Sequence, residues 1–240
     1  MHPSWGGKKD LIMPMTTANG QKQPLGVKAY EEICRKIITL EYKPGQVLDE
    51  KQLMVDFGLG RTPIREALLR LAGEGWVETQ PNKGATVPAI TLQGTKALFE
   101  AMKILEAGVA DLAISQDNAS LLENMKRINE KVRLAVKSGD LYGLVESNHA
   151  FHLDFARCSK NEYLIRAVNE VRSQAKRLTY LSFANEIKTE KSLQFHYKSV
   201  VEEHDGIITS LKEKNGAMLR EILLRHNQSF QRRIVAYMTS

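Results

Sequence analysis

Apolar residues recur every three to four positions along most of this chain, the spacing that places them on one face of a helix. Before residue 90 the pattern changes quickly. It predicts a helix over "GVKAYEEICRKIITL", a loop at "EYKPGQVL", a short helix over "DEKQLMVDF", and a second short helix within "GRTPIREALLRLAG". "WVETQPNKGATVPA" then alternates around a Pro-Asn-Lys-Gly turn and reads as a two-stranded hairpin. After "PAITLQGT", a linker that ends in a helix start, the helical period runs to the end. It predicts helices near 92–115, 119–137, 140–158, 161–184, 189–213 and 216–238, separated by "SQDN", "KSGD", "SKN" and "KEKNG".

These boundaries divide the chain into three parts. Residues 1–24, rich in Gly, Pro, Thr, Gln and Lys, have no apolar period and are expected to form a flexible tail. Residues 25–90 make a small mixed domain, and 91–240 an all-helical one. The expected fold is mainly α: a winged helix-turn-helix with a small β wing, followed by a bundle of six or seven helices.

The first domain carries a distinctive pairing of residues. Leu53, Val55 and Phe57 precede a tight turn at Gly58–Gly60, and Ile64, Ala67, Leu68 and Leu71 form the inward stripe of the next helix. Pro63 sits in its first turn, where a missing N–H is harmless. Arg61, Thr62 and Arg65 therefore project from its exposed N-terminal end. A helix fits the DNA major groove, and arginine there can fork to guanine O6 and N7. Thr62 and the free N–H groups of the first turn suit a phosphate, Lys51 and Lys83 suit the backbone, and Gly84 permits close approach of the hairpin.

Charge leaves that reading open. The net charge of +6 and pI near 9.2 are compatible with nucleic acid, but residues 25–90 hold nine Lys and Arg against nine Asp and Glu. By composition alone Arg61 and Arg65 could equally form an ordinary solvated face, with Arg65 paired to Glu66 or Glu74. Together, however, "PGQVLDEKQLMVDFGLG" and "GRTPIREALLRLAGEGWVETQPNKGATV" resemble the winged helix of the GntR family of bacterial transcription regulators across residues 26–88. The resemblance implies DNA contacts from Lys51, Arg61, Thr62 and Arg65, with Lys83 and Gly84 in the wing. Gly60 stands where the family commonly has Ser or Thr, so one phosphate contact is absent while the helix remains capped.

In the second domain, polar residues sit on apolar stripes. Asn148 and His152 share a face with Leu144, Val145, Phe151 and Phe155; His204 lies among Val200, Val201, Ile207, Ile208 and Leu211; His226 lies among Leu219, Ile222, Phe230 and Ile234. Singly, each histidine is most simply a hydrogen-bonded core residue. Three from three helices, with an amide, also make the kind of inward set that holds a transition-metal ion. His149 and His196 fit the stripes poorly and are placed at the surface or rim, and Asp154 and Glu203 fall off the stripes.

"NHAFH", "SKN" and the His204–His226 pair resemble the FCD domain of the FadR subfamily of GntR regulators, over roughly 92–236. By that resemblance Asn148, His152, His204 and His226 hold a divalent ion (zinc, nickel or manganese) at the floor of an effector pocket. Asn148 supplies a neutral oxygen where many members have a carboxylate. Met102, in "FEAMKILE", replaces an arginine that can pair with an acidic effector, and Arg172, on a face with Ile165 and Val168, is the candidate substitute.

The remaining features set limits. Cys34 and Cys158 lie apart within helical patterns and are expected to be reduced core residues. No apolar run approaches the roughly 20 residues of a membrane span, and the opening segment lacks a secretory core, so a cytoplasmic protein without a membrane partner is expected. The resulting expectation is a homodimeric regulator of double-stranded operator DNA, responsive to a small carboxylate. The rivals are a metal-dependent helical enzyme, which needs an open metal position and a general base, and a helical interaction module, which leaves Arg61 and Arg65 unexplained.

Overall fold

The computed structural model describes residues 23–80, 84–185 and 192–239. Nearly all of the expected tail, together with Lys83 at the hairpin tip, lies outside these residues. The chain separates into two units: one contains residues up to Arg35 and Gly45–Pro88, the other Lys36–Pro44 and Ala89 onward.

The first unit holds α1 (Leu25–Ile38) through its residue Arg35, β1 (Val47–Leu48), α2 (Glu50–Phe57), α3 (Arg61–Gly73), β2 (Glu78–Gln80) and β3 (Gly84–Thr86). Asp49 caps α2 by accepting from Gln52 N at 2.9 Å. Gly58 ends it in the left-handed conformation at φ 61°, which a residue without Cβ adopts freely. The α2–α3 turn is therefore short, and α3 packs Ile64, Ala67, Leu68 and Leu71 inward as its spacing predicts.

The wing has three strands, not two. Their order is β1-β3-β2, all antiparallel, with Val47 opposite Thr86 and Thr79 opposite Ala85. Residues 41–48 read as a loop because a two-residue strand is too short to show a period. It forms because Gly45, at φ 81°, turns the chain so that its N–H reaches Val87 O at 2.8 Å. Val87 N in turn donates to Gln46 O at 2.9 Å.

The second unit contains α4 (Leu92–Ala113), α5 (Ala119–Ser138), α6 (Leu141–Arg157), α7 (Glu162–Gln174), α8 (Lys176–Ala184), α9 (Leu193–Lys212) and α10 (Gly216–Thr239). Polar punctuation sets their starts: Thr91, Asp140, Asn161 and Ser192 each accept from an N–H of the following turn. The span expected as one helix over 161–184 is two, broken at Ala175. There Thr179 donates both its N–H and its hydroxyl to Ala175 O, at 2.8 and 3.1 Å, the back-bonding that bends helices.

α5 packs on α6 and α9, α10 on α4 and α9, and α7 on α4 and α6. Between them lies a core built on Val109, Met125, Phe151, Phe155, Ile207 and Leu219. Cys34 and Cys158 are reduced and buried, as expected.

Candidate functional site

On the first unit, Lys51, Arg61, Arg65 and Gly84 line one groove of about 530 Å³ with Asp49, Glu50 and Leu69. Thr62 is exposed beside them at the start of α3. The N-cap Gly60 contributes no side-chain bond, so the first-turn N–H groups of α3 have no capping side chain. The arginines reach their groove positions because Ile64, Ala67 and Leu71 are buried on the inward face, while Leu68 lines the groove beside them. Gly84 adopts φ 78°, and a Cβ there would stand 3.2 Å from Leu48 O. Its lack of a side chain thus serves strand packing as well as access.

The partner of Arg65 is neither Glu66 nor Glu74. Its Nε donates to both carboxylate oxygens of Glu50, at 3.2 and 3.1 Å, and Arg61 Nε stands 3.6 Å from Glu50 Oε2. Glu74 instead accepts from Tyr30 and Arg70.

In the second unit, α6, α9 and α10 bring His152, His204 and His226 together. One ring nitrogen from each lies within 4.8 Å of the other two, and all three rings are buried. Two of the rings, His204 and His226, are hydrogen-bonded from behind at Nδ1, whereas His152 Nδ1 lies near a carboxylate without a hydrogen bond. Glu106 Oε1 lies 3.1 Å from the Nδ1 of His152, Asn129 Oδ1 3.0 Å from that of His204, and Glu203 Oε2 2.8 Å from that of His226. Acceptors at Nδ1 of His204 and His226 select the tautomer protonated there, which leaves the Nε2 of each with a lone pair. The Nε2 atoms of His152 and His226 are 3.2 Å apart, and His204 Nε2 is buried without a hydrogen-bond partner. The donor set fits a divalent ion.

Electrostatics keep the ligands ready. Burial, reinforced by Arg172, pushes the His152 imidazole down to about 3, and burial drives His204 well below the ordinary range. Both are neutral, as metal ligation requires. Burial by itself would raise Glu106, but Arg172, then His152 and Asn227, outweigh it and hold the carboxyl well below its ordinary value. Arg172 Nε donates to Glu106 Oε1 at 2.8 Å, and Asn227 Nδ2 to Glu106 Oε2 at 2.7 Å. Glu203 is lowered too: its bond to His226 and the charges of His226 and Arg225 overcome burial.

Asn148, Arg172 and His226 line one cavity with His196, Glu203 and Thr179. Its volume of about 20 Å³ holds one water molecule. Asn148 is buried in this wall. Met102 does not line the cavity but is buried in an apolar cluster with Phe99 and Phe230, the last of which also borders it.

Three placements correct the sequence reading. His196, expected at the surface or rim, is buried, bonds Ser182 Oγ at 3.0 Å and stacks on Phe183. It precedes Val200 by one turn and His204 by two, a register that marks it as inward. Glu203 and Asp154, expected off the stripes, are buried as well: Arg225 offsets the charge of Glu203 while His226 hydrogen-bonds it, and Arg157 offsets that of Asp154 while Asn124 donates to it. His149 is half-buried. Glu106, Asn129 and Glu203 escaped sequence reasoning because their partners come from distant helices. The only local signal was a Glu106 placed on the inner side of α4, one turn after Met102.

Comparison with known proteins agrees with this architecture. Residues 25–87 match the family of bacterial regulatory proteins named gntR, and residues 97–229 match the FCD domain. The chain is 23% identical over 216 residues to the HTH-type transcriptional repressor RspR of Escherichia coli K12, covering 90% of this chain and 91% of that protein. It is 30% identical over 206 residues to the HTH-type transcriptional regulator LutR of Bacillus subtilis, covering 78% and 90%. Its fold is similar to that of E. coli McbR/YncC, with a TM-score of 0.72 at 21% identity over 90% of this chain and 99% of that one. These families and relatives are regulators, so the enzyme reading of the histidine cluster gives way. The chain belongs to the GntR family of transcriptional regulators, with an FCD domain behind its winged helix.

Proposed function

We propose that this regulator acts in the cytoplasm as a homodimer on a near-palindromic operator, and that a small carboxylate in the FCD unit controls it. The functional boundary between the DNA-binding and effector domains falls at about residue 90. Arg61 and Arg65 read base edges in the major groove, while Lys51, Thr62 and the wing residues Lys83 and Gly84 engage the backbone. Two heads related by a two-fold axis require two half-sites.

The observation that carries the effector half is the convergence of three buried imidazoles, two of which, His204 and His226, are hydrogen-bonded from behind. His152, His204 and His226 would hold zinc, nickel or manganese, with the Asn148 oxygen beside them. The ion would supply a Lewis-acidic anchor for a carboxylate. Arg172 lines the same cavity and has its Nε engaged by Glu106, so it meets an effector as part of an ion pair. The cavity now has room for one water, so an effector binds by selecting a more open state. Any change in operator affinity then equals its preference for that state over the closed one.

The test is selection of operator from random-sequence duplexes by the full-length protein, followed by titration of the selected duplex. A two-half-site consensus, lost in Arg61→Ala and Arg65→Ala, supports the reading. Equal binding to all duplexes contradicts it.

A further inference from the structure

We infer that Glu50 is a specificity-determining residue, a carboxylate that aims both arginines of α3 at base edges and makes them poor ligands for phosphate. The inference rests on the proposed DNA-reading role of Arg61 and Arg65.

The geometry is particular. Glu50 opens α2, and its carboxylate receives the Nε of Arg65 at both oxygens while Oε2 lies 3.6 Å from the Nε of Arg61. The contact uses the inner side of each guanidinium. The outer, terminal Nη groups are the ones that can fork to guanine O6 and N7. A side chain with four rotatable bonds, held at its inner edge, has less freedom to lose when it docks. It is also less able to swing sideways to a phosphate.

The stability of these ion pairs does not account for the pairing with two arginines. The arginine side chains are 60% and 57% exposed, and exposed ion pairs contribute little to folding. Acidic groups on a DNA-facing groove also weaken backbone attraction at every sequence. Among the described residues, three cations in the groove, Lys51, Arg61 and Arg65, face two carboxylates, Asp49 and Glu50. Asp49 has its own task as the cap of α2, whereas the partners of Glu50 are the two arginines. Its charge therefore lowers affinity for random DNA while it orders the reading side chains.

The experiment uses the full chain and two duplexes: a consensus selected by the wild-type protein from a random library, and a shuffled duplex of equal composition. Dissociation constants are compared for wild type, Glu50→Gln, Glu50→Ala, Asp49→Asn and Arg65→Ala, with thermal melts to verify folding. Glu50→Gln and Glu50→Ala should bind the shuffled duplex more tightly. Their consensus-to-shuffled ratio should fall by about tenfold, the scale of one bidentate base contact, at the same guanine positions that Arg65→Ala loses. Asp49→Asn, which removes a neighbouring charge and keeps a capping oxygen, should tighten both duplexes alike and leave the ratio unchanged.

A Glu50→Gln ratio equal to wild type, or matching that of Asp49→Asn, overturns the inference while the DNA reading stands. Loss confined to a cytosine position, with guanine preference intact, also overturns it and makes Glu50 a direct reader of cytosine N4. If the wild-type protein yields no consensus and binds like Arg65→Ala, the DNA reading itself has failed and this inference falls with it.

Discussion

His152 and His226 face each other through their Nε2 atoms at 3.2 Å, while the Nδ1 of one ring lies against Glu106 and that of the other against Glu203. Glu203 claims the Nδ1 proton of His226, so the Nε2 of that ring presents a lone pair toward His152 in a buried space. The expected consequences of this site and of the groove on the first unit can each be measured.

Arg61→Ala and Arg65→Ala should each weaken binding to the selected operator by about 1–3 kcal/mol and relax preference at a particular base pair. Lys51→Ala should weaken all duplexes similarly and reduce the magnitude of the salt slope by about 0.9, as one lost phosphate contact does. Fluorescence anisotropy over a series of salt concentrations separates the two behaviours.

Glu106→Gln should destabilise the FCD unit by about 3–5 kcal/mol, because it leaves the buried Arg172 guanidinium without its counter-charge. Denaturant unfolding monitored by circular dichroism reads the loss. A variant as stable as wild type would mean that Arg172 finds water or another partner.

The metal-free protein should lose stability as pH falls below the ordinary histidine value near ~6.5. Burial lowers His196 to about 3, as it does His152. Between the folded and unfolded values the unfolded chain binds the extra proton, so this stability is complete above ~6.5 and disappears on acidification toward 3. Each such histidine contributes a slope of about 1.4 kcal/mol per pH unit. Calorimetry in chelator from pH 7.5 to 4.5 should show the melting temperature falling, and less steeply in His196→Gln. Equal slopes would remove His196 from the account.

Much of this was legible in the chain because helix stripes are periodic. Asn148 and His152 stand one turn apart among apolar residues, and His204 and His226 share stripes with Ile207 and Ile222, so their inward direction follows from spacing alone. The acceptors behind them were not legible. A glutamate is buried only when a distant cation or imidazole pairs with it: Glu106 meets Arg172 66 positions away and Glu203 meets His226 23 positions away. Local pattern carries no trace of such a meeting. The same holds for Glu50, paired 15 positions on with Arg65, and for β1, whose two residues join a sheet only when β3 arrives.

Asn148→Asp should tighten the ion by replacing a neutral oxygen with a charged one. Added zinc, nickel or manganese should raise the melting temperature of wild type at pH 7.5, because the ion binds the folded site and not the unfolded chain. The Asp variant should show the larger shift at pH 7.5. A smaller shift than wild type would place residue 148 outside the coordination sphere.

The most direct measurement is the metal content of the untagged protein, by mass spectrometry after purification without chelator, set beside that of His204→Ala and His226→Ala. The account predicts about one divalent ion per chain in wild type and none in either variant, each variant retaining its operator binding because the winged helix is a separate unit. A wild-type protein that carries no ion, and whose melting temperature is unmoved by zinc, nickel or manganese, would contradict it and leave the three histidines as hydrogen-bonded core residues.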